Sequence, residues 1–231
     1  MGRTDFLDFL IVGSGIAGLR AALRARWRLL LAVAAAVVVL DVAFALLCGC
    51  TAKTLPYEDE IAAWRGEKDR FMRESSESPV PEAQRGSFPP LPYYPTNPEY
   101  RVPASLKVAP AGDVLEMPTS TGQRRKMRRI GALEFTLKGE PLRLTAFADA
   151  NDTALQRLFV PFWDRTNGTE TYPGGRYLDL DRTATGLYDL DFNRAYNPFC
   201  HFNPAFDCPV PPRENRLTVP VRAGEKLELA K

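Results

Sequence analysis

The stretch GALEFTLKGEPLRLTAFA, residues 131–148, decides the fold class. Apolar and polar residues alternate from Leu133 to Leu137, and the alternation resumes at Leu142 after the turn signal GEP at 139–141. Successive side chains of a β-strand point to opposite faces, so each run buries one face and exposes the other. Two such runs joined by a short turn predict an antiparallel β-hairpin.

Shorter runs of the same kind recur on both sides of this hairpin, separated by turn signals. Strands at such close spacing are typical of antiparallel sandwiches and barrels. The sequence therefore predicts a mainly β domain, either an antiparallel β-sandwich or a barrel-like structure. The further candidate strands are 101–108, 113–117, 128–130, 158–162, 176–179, 186–191, 217–221 and 226–229.

An N-terminal amphipathic helix is predicted to precede the strands. Residues at steps of three and four mark one of its faces: Tyr57, Ile61, Trp64, Lys68, Phe71 and Met72. This spacing places them on one side of a helix. The sequence SSESP at 75–79 ends the helix, which we expect to lie across the sheet.

Composition limits the class of protein and divides the chain. The 231 residues are 45% hydrophobic and 25% charged, with a net charge of +2. This excludes collagen-like, wholly disordered and polytopic membrane proteins, and gives no reason to expect nucleic acid as a partner. All 20 prolines lie from Pro56 onward. We expect a Gly-rich Rossmann-like fragment or over-extended start at 1–28, an apolar signal or anchor helix at 29–50, a tether at 51–56 and a β-rich exported domain at 57–231.

The segment 29–50 is apolar except for Asp41 and follows an arginine-rich flank. A positive flank before an apolar core is typical of an export signal, and the run is nearly long enough to span a bilayer. Its end, Leu47-Cys48-Gly49-Cys50, resembles the bacterial lipobox, whose last cysteine carries a diacylglyceryl group. This predicts lipidation of Cys50 and an exported protein anchored to a membrane of the bacterial cell envelope. An uncleaved signal anchor or simple secretion is the alternative.

Residues 8–23, DFLIVGSGIAGLRAAL, resemble the FAD-binding N-terminus of the fumarate reductase and L-aspartate oxidase flavoproteins. Gly13, Gly15 and Gly18 would form the tight turn beside the pyrophosphate. The resemblance implies FAD as cofactor. The rest of the chain has no second βαβ pattern to enclose a flavin, so the lipoprotein interpretation implies no cofactor. Translation from near Leu23 would leave the export signal without this motif.

The sequence RRKMRR at 124–129 is the one basic cluster of the predicted exported domain. Binding of anionic lipid head groups or of a cell-wall polymer at Arg124–Arg129 would suit an anchored protein. A solvated strand edge, protected by its charge from pairing with another chain, is the alternative.

Residues that could take part in catalysis or ligand binding are most frequent between residues 162 and 225. In order it contains FWD at 162–164, TY at 171–172, GRYLD at 175–179, LDFNRAYNP at 190–198, two cysteines and PPREN at 211–215. This order is similar to that of the bacterial family catalogued as domain of unknown function 1684, over roughly residues 57–229. The resemblance implies an exported or lipid-anchored β-rich domain and no assigned activity.

Three acids in this segment, Asp164, Asp191 and Glu214, are candidate catalytic residues. Paired carboxylates among aromatic residues are typical of carbohydrate-active sites, where an acid and a base flank the glycosidic bond. Two alternatives are a Ca²⁺ site at Asp189, Asp191 and Asn193, and acid–arginine pairs that fasten loops. The candidate binding residues are Tyr172, Arg176, Asn193, Tyr196 and Asn197.

Cys200 and Cys208 would close a nine-residue loop, and a disulfide is favoured in an oxidising compartment. His201 raises a metal site as an alternative, but the chain has one histidine and falls short of four zinc ligands. Free thiols are the third alternative, and no metal is expected.

These features predict a cell-envelope lipoprotein that acts as a binding or structural module. An envelope hydrolase that uses the paired carboxylates is the first alternative, and an FAD-binding flavoprotein fragment is the second.

Overall fold

One antiparallel sheet is built around the predicted hairpin. Met127 to Leu137 of one strand pair with Glu140 to Asp149 of the next, which confirms the hairpin. In chain order, the helices and strands of the described residues are α1 (Tyr57–Glu74), α2 (Glu82–Arg85), β1 (Arg101–Val108), β2 (Val114–Pro118), β3 (Arg124–Leu137), β4 (Glu140–Asp149), β5 (Arg157–Phe162), β6 (Arg176–Asp181) and β7 (Leu187–Asp191).

The computed structural model describes residues 55–110 and 113–227. They belong to one unit, Leu55–Lys231. The motif with Gly13, Gly15 and Gly18, the apolar segment 29–50 and Cys50 lie outside the described residues. Among the helices of the described part, none has the length and apolar character needed to cross a membrane.

The sheet curls into a nearly closed barrel. Its strand order is β6-β5-β4-β3-β1-β7, with β2 paired to the first half of β3. The outer strands β6 and β7 approach each other along a seam lined by residues of both. The barrel prediction is therefore confirmed and the sandwich is wrong, because one sheet encloses the core. Five strands each contribute an inward leucine that is at most 1% exposed: Leu133, Leu144, Leu158, Leu178 and Leu190.

A β-bulge in β3 lets one strand serve two hydrophobic clusters. Between Arg129 and Gly131, β3 gains one residue relative to β4, so its alternation changes phase. Met127, before the bulge, packs in a cluster on the outside of the sheet, whereas Leu133, after it, lies in the barrel interior. A Cβ at residue 131 would lie 2.3 Å from the Lys107 carbonyl oxygen, so the bulge requires glycine.

The helix α1 begins and ends where the sequence predicts. Ile61 and Met72 are fully buried. Near its first turn, the Tyr57 hydroxyl donates to Asp191 Oδ1 at 2.9 Å. At its middle, Lys68 Nζ lies 2.5 Å from Glu225 Oε1. Polar contacts thus attach α1 to the barrel at two points.

The side chain of Asn215 joins two strands that separate from each other. β4 and β5 pair at one position only, Phe147 with Phe159. Beyond it, Asn215 Oδ1 accepts from the Thr145 N–H at 2.7 Å, and Nδ2 donates to the carbonyls of Thr145 and Pro161 at 2.8 and 2.7 Å. The amide thus takes the place of the missing strand ladder.

The chain around Asn215 is not a strand. The predicted strand at 217–221 does not form, because this segment meets the barrel by single contacts, such as the Leu217 N–H to the Trp163 carbonyl at 2.8 Å. Residues 226 and 227 are not in a strand either.

We predict that Asn215→Ala lowers the free energy of unfolding by about 2–4 kcal/mol, because three buried backbone groups lose their partners. Urea denaturation measures this. The matched control is Asn203→Ala, which removes one exposed hydrogen bond to the Ala205 N–H. Equal effects of the two substitutions would contradict the role of Asn215.

Candidate functional site

Asp164 and Arg176 form an ion pair in which both side chains are 0% exposed. Arg176 Nη2 donates to Asp164 Oδ2 at 2.9 Å. The guanidinium also donates to the carbonyls of Val221, Ala223 and Glu225 at 2.7, 2.5 and 3.0 Å. The other oxygen of Asp164 accepts from the N–H groups of Thr166 and Val221. Both residues are committed to holding loops together.

Glycine is required immediately before this arginine. Gly175 has a φ of +92°, and a Cβ there would lie 2.8 Å from the Phe162 carbonyl oxygen. Only glycine adopts this conformation without strain. The Gly-Arg pair at the start of β6 therefore places the buried guanidinium.

Asp191 and Asn193 form a clamp on the N-terminal part of the domain. Asp191 Oδ1 accepts from the Tyr57 hydroxyl and from the Asn193 N–H. The Asn193 side chain accepts from the Asn97 N–H at 2.9 Å and donates to the Asn97 carbonyl at 2.8 Å. Burial and the hydrogen bond to Asp191 raise the pKa of Tyr57 above its usual value. These contacts bind α1 and the following loop to the end of β7.

The described structure does not bring the three candidate acids together. Glu214 Oε1 accepts from Arg129 Nη1 at 3.0 Å beside β3. Asp191 and Glu214 line two different depressions of the surface, and Asp164 lines neither. Asp164, Asp191 and Glu214 therefore do not face one open space.

The proposed Ca²⁺ ligands are also engaged elsewhere. Asp189 accepts from Arg101 Nε at 2.7 Å, and the side-chain oxygen of Asn193, Oδ1, accepts from the Asn97 N–H. Within residues 55–110 and 113–227, no group of three His, Cys, Asp or Glu side chains is placed to hold a metal ion.

Tyr196 and Asn197 belong to a buried polar contact between α1 and the C-terminal segment. Lys68 Nζ lies 4.1 Å from the centroid of the Tyr196 ring and pairs with Glu225, whose other oxygen accepts from the Asn197 N–H at 2.8 Å. The Tyr196 hydroxyl donates to Asp179 Oδ2 at 2.8 Å, and burial raises the pKa of this tyrosine. Sequence reasoning missed the Lys68–Glu225 pair, although a lysine on the apolar face of α1 was a signal for it.

A cleft of about 430 Å³ lies between the outer face of the sheet and the loop 196–209. We call it the aromatic cleft. Its charged lining residues are Arg125, Asp149 and Asp207. Five aromatic side chains line it: Phe159, Tyr177, Tyr196, Phe199 and Phe206.

Neighbouring rings of the aromatic cleft stand nearly perpendicular to each other. The centroids of Phe159 and Tyr177 are 4.7 Å apart with planes at 78°, and those of Phe199 and Phe206 are 5.4 Å apart with planes at 87°. Such edge-to-face pairs are the favoured geometry of aromatic contacts. They give the cleft defined walls.

Sequence reasoning missed most of the aromatic cleft. Tyr196 was a candidate binding residue, Arg125 belonged to the basic cluster and Cys208 to the predicted disulfide, but the sequence did not place them together, because the lining residues come from β3, β4, β5, β6 and the loop 196–209. One signal was present: alternation in β5 sends Leu158 and Val160 into the barrel and Phe159 to its outside. A larger depression of about 960 Å³ has two aromatic lining residues, Phe135 and Tyr188, against five in the cleft.

Cys200 and Cys208 are free thiols in this structure, so their disulfide stays a prediction. The Cys200 N–H lies 3.2 Å from the Cys208 sulfur, and the Tyr172 hydroxyl lies 3.9 Å from the Cys200 sulfur. The hydrogen bond with Cys208 lowers the pKa of Cys200 to about 6, and it raises the pKa of Cys208. Burial raises the pKa of Tyr172 to about 12.

The strand geometry divides the basic cluster between two faces. Arg124, Lys126 and Arg128 lie on one face of β3 and Arg125 and Arg129 on the other. β3 pairs with β2 and β4, so it is not a sheet edge. Three of the arginines donate to described protein groups. Binding of anionic lipid head groups or of a cell-wall polymer there stays a prediction, for which Arg124, Arg125 and Lys126 are the exposed members.

We predict that Asp164→Asn lowers the free energy of unfolding by about 3–5 kcal/mol, because it leaves the buried charge of Arg176 unbalanced. Glu214→Gln, which breaks a partly exposed pair with Arg129, should change it by less than about 1 kcal/mol. Urea denaturation compares the two variants. A small effect of Asp164→Asn would show that Arg176 does not depend on its carboxylate.

We also predict that iodoacetamide modifies Cys200 before Cys208 in the reduced protein. The thiolate is the reactive form, so the rate at Cys200 should rise as the pH passes about 6 and then level off. Peptide mass spectrometry follows each site. Cys208→Ala, which removes the hydrogen-bond donor, should move this rise to higher pH, and an unchanged profile would contradict the hydrogen-bonded pair. A mass gain of two hydrogen atoms on reduction would reveal the predicted disulfide.

The comparisons with known proteins agree on the family. The family model described as a protein of unknown function (DUF1684) matches residues 86–226. The solution NMR structure of an uncharacterised protein from Haloarcula marismortui is 39% identical, covers 76% of this chain and 96% of that chain, and superposes with a TM-score of 0.61. No curated protein matches the chain. The comparisons give no support to the flavoprotein resemblance of residues 8–23. The chain belongs to the DUF1684 family.

Proposed function

We propose that this chain is a cell-envelope lipoprotein whose barrel domain is a non-enzymatic binding module, with the aromatic cleft as its ligand site. One observation carries the proposal. Five aromatic side chains line an open cleft, whereas the carboxylates expected of a hydrolase are bonded to other parts of the protein.

The size and lining of the aromatic cleft support binding. Sites for small molecules are clefts of about 300–1,000 Å³ with mostly apolar walls and a few polar groups. The volume of about 430 Å³ lies in this range. Arg125, Asp149 and Asp207 supply the few polar groups at the rim.

The environment of the acids argues for binding over hydrolysis. A glycosidase needs two carboxyl groups that face the same bond across a gap of about 5–10 Å. Asp164 is completely buried against Arg176, and Asp191 is capped by Tyr57 and Asn193. Both oxygens of Asp164 accept hydrogen bonds, and the second oxygen of Asp191 lies 3.6 Å from Arg194 Nε, so both carboxylates are engaged within the protein.

The anchor is proposed from the sequence of residues 29–50. A diacylated Cys50 would hold the protein more firmly than one acyl chain could. The six residues 51–56 can span roughly 20 Å before α1 begins at Tyr57. The barrel would therefore stay close to the membrane surface.

We predict that the membrane fraction contains a diacylated protein that starts at Cys50. Intact mass spectrometry of that fraction measures this. Cys50→Ala should abolish the acylated species, whereas Cys48→Ala should leave it in place. A mass that corresponds to the whole unprocessed chain would overturn the anchor.

We predict that the purified protein binds at least one of three probes of similar size that share a branched trimethyl group: choline, 3,3-dimethyl-1-butanol or 3,3-dimethylbutanoate. Isothermal titration calorimetry and saturation-transfer NMR measure binding. Phe206→Ala should weaken it about 5-fold or more, because a wall of the cleft is lost. Phe88→Ala, in a separate contact with Phe202, is the matched control. No binding, or equal effects of both variants, would overturn the proposed site.

A further inference from the structure

We infer that the ligand of the aromatic cleft is a small organic cation with a fully alkylated nitrogen, such as a trimethylammonium group. The inference rests on the proposed function, because it names the ligand class of the same site. Three features of the cleft together carry it: its ring surfaces, its shortage of hydrogen-bond donors and its negative rim.

The ring surfaces favour a positive charge. The face of an aromatic ring carries partial negative charge and attracts cations, and cages of several rings recognise quaternary ammonium groups. Tyr196, one of the five rings, already has the Lys68 ammonium 4.1 Å from its centroid. Because Glu225 neutralises that lysine at 2.5 Å, Lys68 does not make this side of the cleft positive.

The hydroxyl groups of the cleft are already used. The Tyr177 hydroxyl donates to the Pro209 carbonyl, and the Tyr196 hydroxyl donates to Asp179. Among the charged and hydroxyl side chains of the described residues that line the cleft, Arg125 is the only other one with hydrogen-bond donors, and its Nη2 already donates to the Asp207 carbonyl. A carbohydrate or an anion needs several donors, whereas a fully alkylated ammonium group needs none.

The rim carries a net negative charge. Asp149 and Asp207 face one guanidinium, that of Arg125. Arg125 donates to the Asp207 carbonyl at 3.0 Å and lies 4.0 Å from the Asp207 carboxylate, so these two charges offset each other. Asp149 is exposed at the end of β4 and accepts one backbone hydrogen bond, from the Asn151 N–H at 2.9 Å. Its charge remains for a ligand.

The test compares binding of the three probes to the full-length protein by isothermal titration calorimetry. Choline carries a charge of +1 on the nitrogen of its trimethyl group, and 3,3-dimethyl-1-butanol is its neutral analogue. 3,3-Dimethylbutanoate carries a charge of −1 on a carboxylate next to the same branched group. We expect choline to bind roughly 10-fold more tightly than the neutral probe, and the anion to bind most weakly.

Two rim variants test the charge with opposite signs. Asp149→Asn should weaken choline binding roughly 3-fold or more and leave the neutral probe unchanged. Arg125→Gln should strengthen choline binding. The matched control is Asp181→Asn, whose carboxylate is 90% exposed outside the cleft and pairs with Arg157.

The outcomes separate this inference from the proposed function. Equal or tighter binding of the neutral or anionic probe, lost in Phe206→Ala, would overturn the cation and leave the cleft as a binding site. Binding of choline that is insensitive to Asp149→Asn and Arg125→Gln would overturn the inference as well. Failure of all three probes to bind would overturn both.

Discussion

The buried guanidinium of Arg176 is the interaction on which the rest of the structure depends. It joins Asp164, which follows β5, to the backbone carbonyls of Val221, Ala223 and Glu225 in the C-terminal segment. A buried charge is tolerated only when it is paired and hydrogen-bonded, as the two Nη atoms of this guanidinium are. The segment that it holds carries Glu225, which reaches Lys68 on α1. One cation thus organises both the loops around the barrel and the contact with the helix.

The ion pair of Arg176 with Asp164 indicates a structural role for charged residues of the segment 162–225. Acids and arginines are dense there because they hold together a region with little regular secondary structure. Asp164, Asp191 and Glu214 each have a different protein partner. The aromatic cleft between the sheet and the loop 196–209 is instead lined mainly by aromatic side chains. The proposed binding site is therefore built from aromatic residues and not from these acids.

Local patterns predicted the local structure well. The hairpin of β3 and β4 and the helix α1 were predictable because each depends on alternation or helical spacing within a short window. In the first half of β3, residues 128–130 were predicted as a strand but 124–127 were not, because the bulge before Gly131 changes the phase of the alternation inside one strand. The segment after Asn215 resembles a strand in composition, yet it contacts the barrel through single side-chain and backbone bonds.

The sequence by itself determined a β-rich domain with an N-terminal helix and the family, and it singled out candidate polar residues in the segment 162–225. The tertiary structure alone decided which partners those residues have, because ion pairs such as Asp164–Arg176 depend on how the loops fold against the barrel. It also decided where the aromatic cleft lies. Phe159 and Phe206 are far apart in the chain and meet only because the sheet curls and the loop 196–209 covers its outer face. Contacts between such distant residues leave no periodic signal in a single sequence.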